Sequence, residues 1–264
     1  MLQQAFDRYA GEYDQHFTHS RIGRAQRARV HRQLDKVLKK TGRGHILEVN
    51  CGTGEDAAYL SAKGYVVTAS DISQEMIRVA SEKPGNRNVR FICAPMQDLG
   101  SHLGTQTYDG LFSNFGGLNC LAPEEIKQFS HQAFRWLAPD ASFVAVVMGR
   151  RCVWERTFFT WRKEPGKAGR RLQQAGVLTR IGDQEFKTWY YSPRELATLI
   201  GEGFELARTR PIGLFVPPSY LEPWIARHPF FFRVLLSFER FFGAFGLFAD
   251  YADHYLIVLK KKAS

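Results

Sequence analysis

Along residues 44 to about 150, short apolar runs rich in valine, isoleucine and phenylalanine alternate with stretches whose apolar positions return every three or four residues. The runs are HILEVN (45–50), YVVTAS (65–70), VRFICA (89–94), YDGLFSN (108–114) and SFVAVVM (142–148). Runs of this length between turn residues predict buried strands, and the periodic stretches between them predict helices. EDAAYLSAKG closes on Gly64, SQEMIRVASEK is capped by Ser73, and PEEIKQFSHQAFRWL opens on Pro123 with two glutamates in its first turn. Five strands with helical crossovers make an α/β chain with a parallel sheet.

After residue 150 the rhythm breaks. RRCVWERTFFTWRKEPGKAGRRL is aromatic and basic and out of step with a βα unit, so 150–190 reads as an inserted cap. Trp154, Phe158 and Trp161 fall on one face of a helix, which is expected to pack on the domain. Regular structure resumes in 191–264: SPRELATLIGEG as a capped helix, FELARTRPIGLFV as a strand, the turn PPSYLEP and DHYLIVLKK as a last strand. Within it, 217–250 reads as an aromatic lid. Its part from 229 to 250 is dense in phenylalanine, with Arg233, Ser237 and Arg240 as a narrow polar stripe. A helix apolar over most of its circumference packs in the core, covers a ligand or enters the edge of a bilayer.

The most informative residues are Glu48, Val49, Asn50, Cys51, Gly52, Thr53 and Gly54, which end a strand and open a helix. Gly52 and Gly54 let backbone amides come close to a ligand, and the helix N-terminus adds unpaired N–H groups. No lysine follows as in a phosphate-binding loop, and Ala57 stands where a dinucleotide fingerprint has its third glycine. A mononucleotide-like cofactor without a pyrophosphate fits better. Seventeen residues past Gly54, Asp71 ends the second strand, where a carboxylate accepts both hydroxyls of a ribose.

E-V-N-C-G-T-G with D-I-S after the second strand resembles the class I S-adenosylmethionine-dependent methyltransferases, and FDRYAGEYD (6–14) resembles the leading helix of their small-molecule branch. The resemblance implies a Rossmann-like seven-stranded sheet with helices on both faces and a helical aromatic cap. Residues 1–43 would form lid helices and 44–149 the cofactor-binding core. It implies S-adenosylmethionine as cofactor and S-adenosylhomocysteine as product. Glu48 would orient the amino group of the methionine part, with the backbone of Asn50, Cys51, Gly52 and Gly54 beside it. Asp71 would hold the ribose, Ile72 and Met96 the adenine, Asn114 and Phe115 would close the site near the methyl group, and Tyr9 and Tyr13 would reach it from the lid. Two positions depart from the pattern: Asn50 replaces a glycine, and Pro95 stands where an acid often receives the adenine amino group, a role that Asp98 would take over.

No constellation for a general base stands out. His16, His19, Tyr191, Tyr220, His228 and His254 are scattered, with His19, Tyr191 and Tyr220 retained as catalytic candidates. The fourth strand exits as S-N-F-G-G-L-N-C and not as the N-P-P-Y used on bases and glutamine. The acceptor expected is therefore a small or medium hydrophobic molecule. The alternatives are an RNA or protein methyltransferase and a noncatalytic binder of the cofactor.

Composition narrows this further. The chain has 264 residues, 44% hydrophobic, 23% charged, and a formal net charge of +10. Residues 21–43 hold nine Lys/Arg against one acid and 149–171 hold eight against two, a combined +14 that leaves the remainder at −4. The basicity is thus two local patches, which weakens a general nucleic-acid reading and leaves peripheral contact with an anionic membrane open. Cys51, Cys93, Cys120 and Cys152 show no metal-ligand spacing, so no metal is expected. With no signal-peptide core and no spanning run, a reducing cytoplasm is the expected setting. The sequence does not set the oligomeric state.

Overall fold

A computed structural model describes residues 2–38, 44–181 and 183–262. Its centre is one seven-stranded sheet in the order β3-β2-β1-β4-β5-β9-β8. The strands are β1 (His45–Val49), β2 (Val66–Asp71), β3 (Val89–Cys93), β4 (Tyr108–Ser113), β5 (Leu137–Met148), β8 (Phe204–Ile212) and β9 (His254–Lys261). The first five are parallel, and β9 enters antiparallel between β5 and β8. All five strands expected from the apolar runs are present.

Both faces of the sheet are covered, as a parallel sheet requires. Phe143, Ala145 and Val147 of β5 face one buried cluster, while Val144 and Val146 face the other. The helices are α1 (Leu2–Tyr13), α2 (Arg21–Leu38), α3 (Glu55–Ala62), α4 (Gln74–Glu82), α5 (Gly100–Leu103), α6 (Pro123–Trp136), α7 (Val153–Trp161), α8 (Pro165–Ala168), α9 (Pro193–Ile200), α10 (Glu222–Arg227) and α11 (Pro229–Phe242). Ser73 caps α4 by accepting from the Met76 N–H at 3.1 Å, and Ser192 caps α9 with Glu195 closing a reciprocal pair. Residues 39–43, the end of the basic patch at 21–43, lie outside the described residues.

The 150–190 segment holds an element the periodicity did not foresee. β6 (Val177–Ile181) and β7 (Gln184–Thr188) form an antiparallel hairpin. Its strands are half-exposed and the hairpin stands apart from the main sheet, so no buried apolar run announces it. The hairpin supports α1, with Phe186 against Phe6 at 5.9 Å between ring centres. Its end is tied to the loop after β4, where Trp189 N–H donates to the Asn119 carbonyl at 2.8 Å and Asn119 Nδ2 donates back at 2.6 Å.

Two expectations for the cap need correction. Trp161 does not pack with Trp154 and Phe158 on the domain but is 79% exposed at the end of α7. The 217–250 segment is not a lid over the cavity described below, because Phe232, Leu235 and Glu239 turn α11 toward Ile22, Val216 and Ile225.

Candidate active site

β1 lies between β2 and β4, where the strand order reverses, and the crevice beyond the ends of these strands is the place where such sheets take ligands. A cavity of about 230 Å³ opens there. Eight of the expected residues line it: Tyr13, Asn50, Gly52, Asp71, Ile72, Met96, Asn114 and Phe115. Pro95 lines it as well.

The glycine turn does what its sequence suggests. Gly52 and Gly54 have φ of 52° and 72°, and a Cβ on Gly54 would press within 2.9 Å of the Ala80 side chain. Asn50 also sits at positive φ, 50°, a conformation that asparagine tolerates better than most residues. Its carboxamide is then used: Nδ2 donates to the Asn114 carbonyl at 2.7 Å and Oδ1 accepts from Ser113 Oγ at 2.6 Å, joining the ends of β1 and β4. The same carboxamide packs so closely on Gly117 that a Cβ there would collide with it.

Asp71 is buried, and one of its oxygens accepts from the Gly52 N–H at 2.8 Å while the other accepts from the Ser73 N–H at 2.9 Å. Burial pushes its pKa up against the pull of these amides. Each oxygen keeps a lone pair for a further donor. Glu48 does not line the cavity; it is fully buried, and neither of its oxygens has a hydrogen-bond partner among the described residues. Burial, reinforced by Asp56, raises its pKa well above the usual range.

A buried network that sequence reasoning missed stands behind these groups. Asp56, in the first turn of α3, pairs with Arg27 of α2 and accepts from His31 Nε2 at 2.6 Å and Asn114 Nδ2 at 2.8 Å. His31 stacks on Tyr59 at 3.6 Å, and the Arg27 guanidinium lies over the Phe115 ring at 5.2 Å. Burial disfavours the Asp56 charge, yet Arg27 and His31 outweigh it and hold the carboxyl below its ordinary value. Among the described residues, Arg27 Nε is buried without a partner. No local motif could have marked Arg27, since its partner is distant in sequence.

α1 and the turn after it are pinned by carboxylates. Asp7 accepts from Ser73 Oγ at 2.6 Å, and Asp14 accepts from Thr53 Oγ1 at 2.6 Å while pairing with Lys83 at 2.6 Å. Tyr9 stays outside the cavity, edge-on to Tyr13 at 5.7 Å.

Several expected residues are not brought to the cavity. Cys51 and Gly54 belong to the glycine turn but do not line the cavity, and Asp98 is exposed, with Gln97 in its place on the wall and Gln97 Nε2 donating to Glu125 at 3.2 Å. His19 is exposed, Tyr191 spends its hydroxyl on the Leu121 carbonyl at 2.5 Å, and Tyr220 packs on Phe158 at 5.4 Å; none of the three lines the cavity.

A family model described as a methyltransferase domain matches residues 46–140. Residues 46–140 thus carry a methyltransferase domain. The chain is 29% identical over 170 residues to malonyl-[acyl-carrier protein] O-methyltransferase of Bacillus anthracis, covering 62% of this chain and 59% of that one. It is also 29% identical over 111 residues to tRNA 5-carboxymethoxyuridine methyltransferase of Escherichia coli K12, covering 40% and 42%. The chain thus spans less than two thirds of the length of the curated relatives it matches. In fold it resembles 1,6-didemethyltoxoflavin-N1-methyltransferase of Burkholderia thailandensis, solved with its substrate and S-adenosylhomocysteine, with a TM-score of 0.57 at 17% identity over 99% of this chain and 88% of that one.

Proposed function

We propose that the protein is an S-adenosylmethionine-dependent methyltransferase acting on a small or medium hydrophobic acceptor. Asp71 carries the reading: it is buried at the strand-order reversal, fixed by two backbone amides, and has one lone pair free on each oxygen for a diol. The rest of the site fits the same cofactor. Ile72, Pro95, Met96 and Leu121 offer apolar walls for a purine. Behind the cavity wall, Glu48 keeps two unpartnered oxygens and Arg27 an unpartnered Nε–H among the described residues, charges that match the ammonium and carboxylate of the methionine part.

The cofactor supplies an electrophilic methyl group on a sulfonium, and the chain's part is alignment. Asn50 holds the Asn114 backbone, and Asp56 holds the Asn114 carboxamide, so the loop bearing Phe115 is fixed from two sides. Burial pushes the hydroxyl of Tyr13 and the thiol of Cys120 up to about 12. Glu125 is occupied by the Ala122 N–H at 2.7 Å and by Gln97. With Asp71 assigned to the ribose, no described residue lining the cavity is set to remove a proton near neutrality. The acceptor then brings its own available lone pair, as a carboxylate or an enolate does. The names of two relatives, a malonyl O-methyltransferase and a carboxymethoxyuridine methyltransferase, agree with a carboxylate.

The test is a turnover assay with S-adenosylmethionine and a panel of acyl and aromatic carboxylic acids, reading S-adenosylhomocysteine by mass spectrometry. Product that forms only with a hydrophobic acid, and is lost in Asp71→Ala, is the expected result. Turnover on RNA or protein alone would establish the macromolecular alternative, and cofactor binding without turnover on any acceptor would establish the noncatalytic one.

A further inference from the structure

The side of α2 turned away from Asp56 borders a second cavity, of about 190 Å³, between α2, β8 and the end of α11. Arg32, Lys36, Arg208, Arg210 and Arg240 line it, and none of the five forms an ion pair among the described residues. Arg29 forms part of its wall. It is buried, its Nε bonds the Pro211 carbonyl at 2.9 Å and lies 3.3 Å from Glu239, and its Nη2 is buried with no partner among the described residues. Six cations meet one carboxylate. Burial pushes the Arg29 pKa down, and Arg32 and Arg210 add to this against Glu239; at Arg210, burial and Arg208 act together. Such a pocket is relieved by an anion with several oxygens.

α11 adds an independent observation. At about 100° per residue, Phe230, Phe231, Val234, Phe238 and Phe241 share about one third of its circumference, and all five are exposed, Phe230 to 78% and Phe241 to 64%. Phe232, Leu235 and Glu239 are buried on the opposite side. Arg233, Ser237 and Arg240 lie at the border, so the polar stripe flanks a bare aromatic face and its Arg240 reaches the cationic cavity.

We infer that this surface docks the protein on an anionic phospholipid bilayer, with the phenylalanine face of α11 in the interface and a lipid phosphate in the arginine cavity. The cavity selects the sign of the charge. The contiguous phenyl face selects a bilayer over a free phosphate, which has no hydrocarbon to cover it. Among the described residues no helix is long and apolar enough to cross a membrane, so α11 lies in the interfacial plane. Docking of this kind goes beyond methyl transfer and holds whatever the acceptor is.

The test is co-sedimentation of the full chain with vesicles of phosphatidylcholine alone and of phosphatidylcholine with phosphatidylglycerol in equal parts. The mixed vesicles should bind at least about tenfold more strongly, and Arg208→Glu with Arg240→Glu should remove about that factor. Phe230→Ser with Phe241→Ser should lower binding to the mixed vesicles too. Both double variants change exposed residues and should keep the wild-type affinity for S-adenosylhomocysteine; Arg32→Glu with Lys36→Glu, on α2, repeats the charge test away from α11. Equal binding to both vesicle types, variants that bind as wild type, release by millimolar inorganic phosphate, or a preference for single-stranded RNA at the same salt would each overturn the inference.

Discussion

Arg27 and Arg29 stand two residues apart on one helix, are both buried and both meet a buried acid, yet they serve opposite sides of the molecule. Arg27 faces Asp56, which in turn holds Asn114 of the cavity wall, so its charge is balanced by a carboxylate within the fold. Arg29 faces Glu239 and the arginine cavity, where the charges do not balance. Identical residues in nearly identical burial thus take their roles from distant partners: Asp56 across the sheet crossover in one case, Glu239 on the aromatic helix in the other. Balance marks a site completed by the fold, and imbalance marks one completed from outside.

Removing each arginine sharpens that contrast, and the larger effect is expected at Arg27. Arg27→Ala leaves Asp56 buried without its cation and should cost about 3 kcal/mol in urea unfolding, together with a loss of S-adenosylhomocysteine affinity in titration. Arg29→Ala should cost less, about 2 kcal/mol, and leave that affinity unchanged. Glu239 keeps three backbone donors, the N–H groups of Gly213, Phe215 and Val216 at 3.0, 2.7 and 3.2 Å. Equal losses, or a cofactor effect from Arg29, would break the comparison.

Acid exposes the same asymmetry. The Asp56 carboxyl has a folded pKa below its unfolded value, with burial opposing and Arg27 and His31 prevailing. The folded state therefore holds this proton more weakly than the unfolded chain. Its contribution is complete above the unfolded value of about 4 and is lost as pH falls from there toward the lowered folded value. The thermal midpoint of the wild type should fall below that point, and the gap between wild type and Arg27→Ala should narrow. A gap that stays constant from neutrality to pH 3 would mean that Arg27 does not control the carboxyl. The smallest effect is expected at Asp98→Asn, which should change cofactor affinity by less than about 0.5 kcal/mol because the residue is exposed outside the cavity.

The cofactor half was readable because its elements carry local signatures. β1 and its glycine turn are contiguous, and Asp71 follows at the spacing of one βα unit. The three helices called from caps and proline appear where the caps stand. What stayed hidden depends on tertiary pairing. The β6–β7 hairpin is half-exposed on both strands and has no apolar run to announce it. Asp56 looks like an ordinary first-turn acid, and only the fold brings Arg27, His31 and Asn114 to it. Phenylalanine density around 230–248 gave the apolar character of α11 but not its direction, which Glu239 sets by bonding the 213–216 backbone.

On the proposed function, Asp71 holds the cofactor's ribose in the crevice at the reversal of the strand order. Isothermal titration of the wild type and of Asp71→Ala with S-adenosylhomocysteine tests it most directly. The account predicts one site in the wild type and a loss of about 1.5–3 kcal/mol of binding free energy in the variant, the range for removing a charge-assisted hydrogen-bond partner. Wild-type protein that takes up no S-adenosylhomocysteine, or a variant that binds it equally well, would contradict the account.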